Sequence, residues 1–267
     1  MEKHFQVEFL DRVPEQVQAL IRFQAGPGAG AALSVVPTNL ETTIPPHLFR
    51  VVLLRRLRQP LSLSVRNCRC GRLLDALAII AQLVHGMLGR RGFALESVAA
   101  RICREAGGRV RTNMFLRDMD LPLPVADARR LEIVVDGLPL RGGAQLAVDT
   151  TLVCALHEDG RPRRRAAQQD GVAVGAAERR KISTYPELVG PHSRAKLVVL
   201  AVEVGGRWSE QTRAFLSQLA HTWARQETLL MRRRAEQAWR LRWGHVGLRR
   251  GEGSGVVIAR FVAPPRR

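Results

Sequence analysis

Residues 129–153 read RRLEIVVDGLPLRGGAQLAVDTTLV: two apolar, β-branched runs around a segment holding Gly137, Pro139, Gly142 and Gly143. No other stretch constrains the fold as tightly. Val, Ile and Thr favour a pleated, half-buried backbone, and Gly and Pro interrupt it. The connection is too short for a helical crossover, so Leu131–Val135 and Gln145–Val153 are expected as adjacent antiparallel strands. Each carries one acid among apolar neighbours, Glu132 in the first and Asp149 in the second. A carboxylate in an apolar strand is costly to bury without a partner or a metal. Two on adjacent strands can meet at one point, where a divalent cation relieves their repulsion. Alternation of side chains leaves a second reading open, in which both face water.

The segments around this unit complete a recognisable order. Apolar spacing predicts a helix near Pro14–Phe23, then a Gly/Ala break over Ala25–Ala32, then a helix over His47–Leu57. Phe93–Ala106 reads as a helix closed by Gly107-Gly108. Val110–Leu116 reads as a strand, Val172–Tyr185 as a helix and Ala195–Val204 as a strongly apolar strand. Ser209 is a good N-cap for a helix through Arg225, and an arginine-rich helix follows over Glu227–Trp243. A helix, a three-stranded meander and a right-handed crossover to a fourth strand give an α/β (α+β) domain. Its mixed four-stranded core sheet would be covered by helices on both faces.

The chain of 267 residues carries a formal charge of +18. Such an excess of cations points to a polyanion, with DNA the leading partner and RNA the second. Lys3, Lys181 and Lys196 are the only lysines. The positive charge is therefore almost all arginine, which biased coding composition would also produce. The candidate phosphate-binding residues are Arg161, Arg163, Arg164 and Arg165 in one loop, Arg179 and Arg180 in a helix, and Arg232, Arg233 and Arg234 near the next. No apolar run reaches the length of a membrane span, and no N-terminal stretch has a signal peptide's apolar core. The four cysteines do not suggest a secreted disulfide framework. An intracellular, nuclear protein without a membrane partner is expected.

Cys68-Arg-Cys70 followed by His85 offers zinc-type ligands, but one residue separates the cysteines and no fourth ligand follows nearby. No complete zinc site is expected. The acids suit a different metal. Phosphodiester hydrolysis needs a cation to polarise the phosphoryl oxygen and activate water, and Mg²⁺ takes a few carboxylates while keeping several waters. Glu132 and Asp149 could supply these, with Glu96 of the preceding helix as a third ligand or as an ordinary first-turn acid. A lysine would then stabilise developing negative charge. Lys181 is the candidate, a lysine on the helix that follows the strands.

These segments resemble, in order, the C-terminal part of the reverse-transcriptase polyprotein of non-LTR retrotransposons that use a restriction-like endonuclease. Residues 22–32 (RFQAGPGAGAA), Pro46-His-Leu-Phe49 and Leu53-Leu-Arg-Arg-Leu-Arg58 resemble the segment after the polymerase thumb. Cys68-Arg-Cys-Gly71 with Leu74-Asp-Ala-Leu77 resembles the start of a zinc knuckle, although Ala78-Ile-Ile-Ala81 stands where the family has further ligands. Arg130–Thr151 resembles the nuclease motif. Residues 181–188 (KISTYPEL) and 198–220, with Glu203 and Gly206-Arg-Trp208, resemble the segments that close that domain. The resemblance implies a restriction-endonuclease-like (PD-(D/E)XK) fold over 92–226. It also implies a helical connector over 1–60, a degenerate knuckle over 61–91, and a basic helix with an unstructured tail over 227–267. It implies a Mg²⁺-dependent DNA endonuclease with Glu132, Asp149 and Lys181 as catalytic residues, and no polymerase domain. Arg130-Leu-Glu132 replaces the family's Pro-x-Asp, and Thr151 stands where its lysine usually lies. The longer Glu132 side chain moves the carboxylate outward by about 1 Å, so any cleavage should be slow. A catalytically inactive nucleic-acid-binding relic is the alternative, and an unrelated basic α/β scaffold is a third.

Overall fold

A computed structural model describes residues 8–30, 45–57, 59–60, 85–119, 121–157, 159–244, 248–251 and 254–259. Helices α1 (Glu15–Phe23), α2 (Pro46–Arg56) and α3 (His85–Glu105) precede the sheet. Strands β1 (Arg109–Phe115), β2 (Arg130–Asp136) and β3 (Gln145–Val153) follow. Helix α4 (Val172–Thr184) crosses to β4 (Ala195–Glu203), and α5 (Glu210–Ala224) and α6 (Arg232–Gly244) complete the core.

The sheet runs in the order β1-β2-β3-β4. The first two pairings are antiparallel, and β3 pairs with β4 in parallel along its whole length, from Gln145↔Ala195 to Val153↔Glu203. The protein is thus a mixed α/β structure with a four-stranded mixed sheet and flanking helices. The expected strand–turn–strand unit forms with the expected antiparallel pairing, because the connection between β2 and β3 has room only for a turn.

Alternation along the strands makes two cores. Ile133, Val135, Leu146, Val148, Val198 and Leu200 pack one face against α3, α5 and α6. Val134, Ala147, Val199 and Ala201 pack the other against α4 and the turn ending in Leu188. Each fully buried Val, Leu or Ile among these contributes about 1.5–3 kcal/mol of transfer free energy. Ser209 caps α5 as its sequence predicts, accepting from the Thr212 amide at 3.1 Å. The Thr212 hydroxyl takes the Ala201 N–H at 2.9 Å, stitching α5 to β4.

Three boundaries differ from the sequence expectation. Helix α3 begins at His85, inside the stretch assigned to a degenerate knuckle. Cys68 and Cys70 lie outside the described residues. Helix α6 starts at Arg232, five residues later than expected, and it belongs to the core: Trp239 is buried there and stacks on Trp223 at 6.3 Å. The sequence reading sets it apart from the domain over 92–226 as a basic helix, whereas one aromatic residue anchors it to the core. In the tail, expected to lack structure, β5 (Leu248–Gly251) and β6 (Ser254–Ala259) pair antiparallel.

Helix α1 also belongs to the packed body. Ala19, Leu20 and Phe23 are buried against Cys154, Ala155, Leu156, Ala166 and Ala167 beyond the end of β3. Gly205 permits the contact, since a Cβ there would stand 2.3 Å from the Phe23 carbonyl oxygen.

Candidate active site

Glu132 and Asp149 share one sheet face, because Glu132 is two residues from Val134 and Asp149 two from Ala147, both of the α4 side. The β2–β3 ladder pairs Ile133 with Val148, Val134 with Ala147 and Val135 with Leu146. One more step would set Glu132 opposite Asp149, yet the ladder stops there. Instead, Oε2 of Glu132 accepts the Thr150 backbone N–H at 2.7 Å, and the Thr150 hydroxyl bonds the same oxygen. A side-chain carboxylate thus occupies a donor at the point where backbone pairing ends. This draws the two acids together.

Asp149 is 1 % exposed. Lys181 reaches it from α4, placing Nζ 2.8 Å from Oδ2 in an ion pair whose alignment falls short of a good hydrogen bond. Both carboxyls titrate above the ordinary carboxylate range. Burial is the main cause for each. The Asp149 charge adds to the rise at Glu132 and the Thr150 hydrogen bonds oppose it, while Lys181 opposes the rise at Asp149. Two like charges in one desolvated place cannot both ionise cheaply.

Tyr185 closes the site, its hydroxyl donating to the Arg130 carbonyl at 2.8 Å. Its phenol is pushed up to about 12 by burial and by the Asp149 and Glu132 charges. Arg129 pins the same corner. It bonds the Thr184 carbonyl at 2.5 Å and forms ion pairs with Asp127 at 2.7 Å and Glu187 at 2.6 Å. The end of α4, and Lys181 with it, is held against the start of β2. Sequence reasoning missed Tyr185 and Arg129 as positioning groups; residues 184–188 carried only an overall resemblance.

Of the three expected metal ligands, the structure brings together Glu132 and Asp149. Glu96 lies near enough for burial and the Asp149 charge to raise its carboxyl, but no set of three or more His, Cys, Asp or Glu able to hold a metal occurs among the described residues. The donor chemistry of the remaining pair fits Mg²⁺: hard oxygen ligands, a like-charged pair in a desolvated place, and coordination left for water and phosphate.

The nine arginines expected to bind phosphate lie in three segments: the loop after β3, α4 and the start of α6. Arg163 turns inward and donates to the Cys154 carbonyl at 2.8 Å, and Arg161 pairs with Asp159 at 2.6 Å. Arg164 and Arg165 are exposed beyond the end of β3. Arg179 and Arg180 are exposed on α4. Arg232, Arg233 and Arg234 are exposed at the start of α6.

No protein-family model matches this chain, and no curated protein sequence matches it significantly.

Proposed function

We propose that the chain is a restriction-endonuclease-like domain of non-LTR retrotransposon descent that hydrolyses DNA phosphodiesters with Mg²⁺. The observation that carries this reading is Lys181, delivered by the crossover helix to 2.8 Å from Asp149, with Glu132 on the adjacent strand. Two carboxylates and one lysine on a single sheet face are the groups that metal-assisted phosphodiester hydrolysis uses. Glu132 and Asp149 would hold the metal, which when bound supplies Lewis-acid polarisation of the phosphoryl oxygen and an acidified water. Lys181 neutralises negative charge developing on the phosphate. Tyr185 and Arg129 fix the geometry by tying α4 to β2. Exposed arginines contribute sequence-independent phosphate contacts.

A second reading, an inactive DNA-binding module, has its own support. Thr150 already satisfies Oε2 of Glu132, and Lys181 already pairs with Asp149. Mg²⁺-dependent nicking of supercoiled plasmid separates the two. For a nuclease, Asp149→Ala and Lys181→Ala each lower the nicking rate by at least about 100-fold. Equal nicking by wild type and Asp149→Ala would remove this site from the chemistry. Absence of nicking in a preparation that binds DNA would establish the inactive module.

A further inference from the structure

One resource at this corner is left unused by the acids and Lys181. Phe115, the last residue of β1, lies under two guanidinium groups: Arg130 Cζ is 4.0 Å from the ring centroid and Arg117 Cζ is 4.3 Å. The two cationic carbons are no farther apart than those distances laid end to end. Bringing two cations over one ring costs repulsion, which the negative face of the ring offsets in part. The arrangement is braced from both sides. Arg130 donates through Nη1 to the Asn113 side-chain oxygen at 3.0 Å, and Arg117 donates through Nη1 to the Val125 carbonyl at 3.0 Å.

Asn113 has φ of 55°, a left-handed conformation that Asn tolerates better than most residues. The β1–β2 pairing skips it, running from Thr112↔Ile133 to Met114↔Leu131. Irregular, strained backbone in the middle of a strand re-aims a side chain and clusters at functional places. Here it aims the Asn113 amide at Arg130.

The neighbouring arginine shows what a structural role looks like. Arg129 spends its guanidinium on Asp127 and Glu187. Arg130 meets no carboxylate among the described residues, and Arg117 has Asp118 at 3.9 Å and lies near enough to Asp127 for its charge to help hold that carboxyl down. A guanidinium has five N–H donors. Each of this pair commits one to a protein acceptor, which leaves most of both forks to an anion. Arg130 lies two residues before Glu132 on β2, and its carbonyl holds Tyr185 beside the acids.

Deepening the nuclease reading and resting on it, we propose that Arg117 and Arg130, organised over Phe115 and braced by Asn113, form the phosphate subsite that seats the DNA backbone beside Glu132 and Asp149. The ligand is one nucleic-acid phosphodiester, held through a bidentate fork and without base preference. Stacking keeps the guanidiniums weakly hydrated and oriented before the phosphate arrives.

The experiment is duplex binding by the full chain, titrated over a range of salt in EDTA so that cleavage plays no part. The variants are Arg117→Ala, Arg130→Ala, Phe115→Leu and, as control, Arg213→Ala, an exposed arginine on α5 paired with Glu210. Arg117→Ala and Arg130→Ala should each weaken binding at least about tenfold at low salt, equally for unrelated sequences. Each should also reduce the slope of log affinity against log salt by about one. Phe115→Leu keeps the charge and most of the apolar volume, so weaker binding by it shows that the ring organises the pair. Losses no larger than for Arg213→Ala, or an unchanged Phe115→Leu, would overturn the subsite. Plasmid nicking separates this result from the parent reading. Nicking that survives intact in both arginine variants defeats the subsite alone, whereas arginine-dependent binding without any nicking defeats the nuclease and leaves the subsite standing.

Discussion

Among the described residues two acids, Asp149 and Glu203, are fully buried against a base, and the two places are built differently. At the first, Asp149 and Glu132 share Lys181, whose side chain remains 24 % exposed. At the second, beyond the ends of β3 and β4, Glu203 lies 3.4 Å from Arg207, whose side chain is 10 % exposed. Arg207 also reaches Asp170 at 3.1 Å and the Arg22 carbonyl at 3.0 Å, and Arg22 pairs with Asp170 at 3.2 Å. The other Glu203 oxygen accepts the Val174 amide at 3.3 Å, in the first turn of α4. Burial raises the titration of Glu203 as it does that of Glu132 and Asp149, so a shifted carboxyl alone does not identify a reactive one. Charge balance does separate them. The second cluster sets two carboxylates against two guanidiniums and is closed. The first sets two carboxylates against one ammonium, with Glu96 nearby, and carries an excess of negative charge that a metal or a protonated carboxyl must answer.

The sharpest break of this contrast is Arg207→Ala. At about pH 8, where the wild-type Glu203 is ionised, removing the cation leaves that carboxylate buried without compensation, which should cost about 3–5 kcal/mol in urea unfolding. A variant as stable as wild type would show that the closed cluster holds nothing. Arg207→Lys keeps the charge but loses the second arm toward Arg22, and should fall between the two.

A second test uses pH. Burial pushes Glu203 up to about 7, opposed by Arg207, from the 4.5 expected of an unfolded chain. The native state therefore holds a proton that the unfolded state releases over this window. The stabilisation from Glu203 is complete below about pH 4.5 and is lost as pH rises through about 7. The loss is on the order of 3 kcal/mol across the window. Glu203→Gln should flatten that fall in the pH dependence of unfolding free energy. An unchanged profile would mean that Glu203 is ionised in the native protein throughout.

The smallest effect belongs to the first cluster. Asp149→Asn removes one of two like charges and leaves Lys181 partly solvated, so stability should change by less than about 1 kcal/mol while nicking disappears. A loss comparable to that of Arg207→Ala would make Asp149 a structural acid of the same kind as Glu203.

Most of the core was legible in the sequence because it is local. Alternation in 131–135 and 145–153, the Gly-rich connection and the Ser209 cap each act within a few residues. Glu132, Asp149 and Lys181 were legible for a related reason: charged residues inside or just beyond apolar runs stand out. What escaped depends on distance along the chain or on context. Arg22 meets Asp170 and Arg207 only after folding, and nothing near Phe23 foretells Gly205 beneath it. Trp239 sits among arginines that signal solvent. The sequence reading starts the helix at Phe93, yet α3 begins at His85 and runs through Gly86, Gly89 and Gly92, although each glycine lowers helix propensity by about 1 kcal/mol. Arg117 and Arg130 act through Phe115 and an unusual Asn113 backbone, neither of which has a local signature.

The clasp between α1 and the far end of the sheet also bears on the order in which the protein is made. Arg22 and Phe23 are among the first parts of the described body to be synthesised, yet their partners Gly205 and Arg207 come more than 180 residues later. At roughly 5–20 residues per second, the first helix waits about ten to forty seconds for these partners. The apolar surface that covers Leu20 and Phe23, at Cys154–Leu156 and Ala166–Ala167, emerges earlier, so what α1 lacks during the rest of that wait is its Arg207 clasp. Helix α1 is therefore locked among the last pieces of the described body, and a nascent chain stalled before Gly205 would carry it seated on Cys154–Ala167 but unclasped.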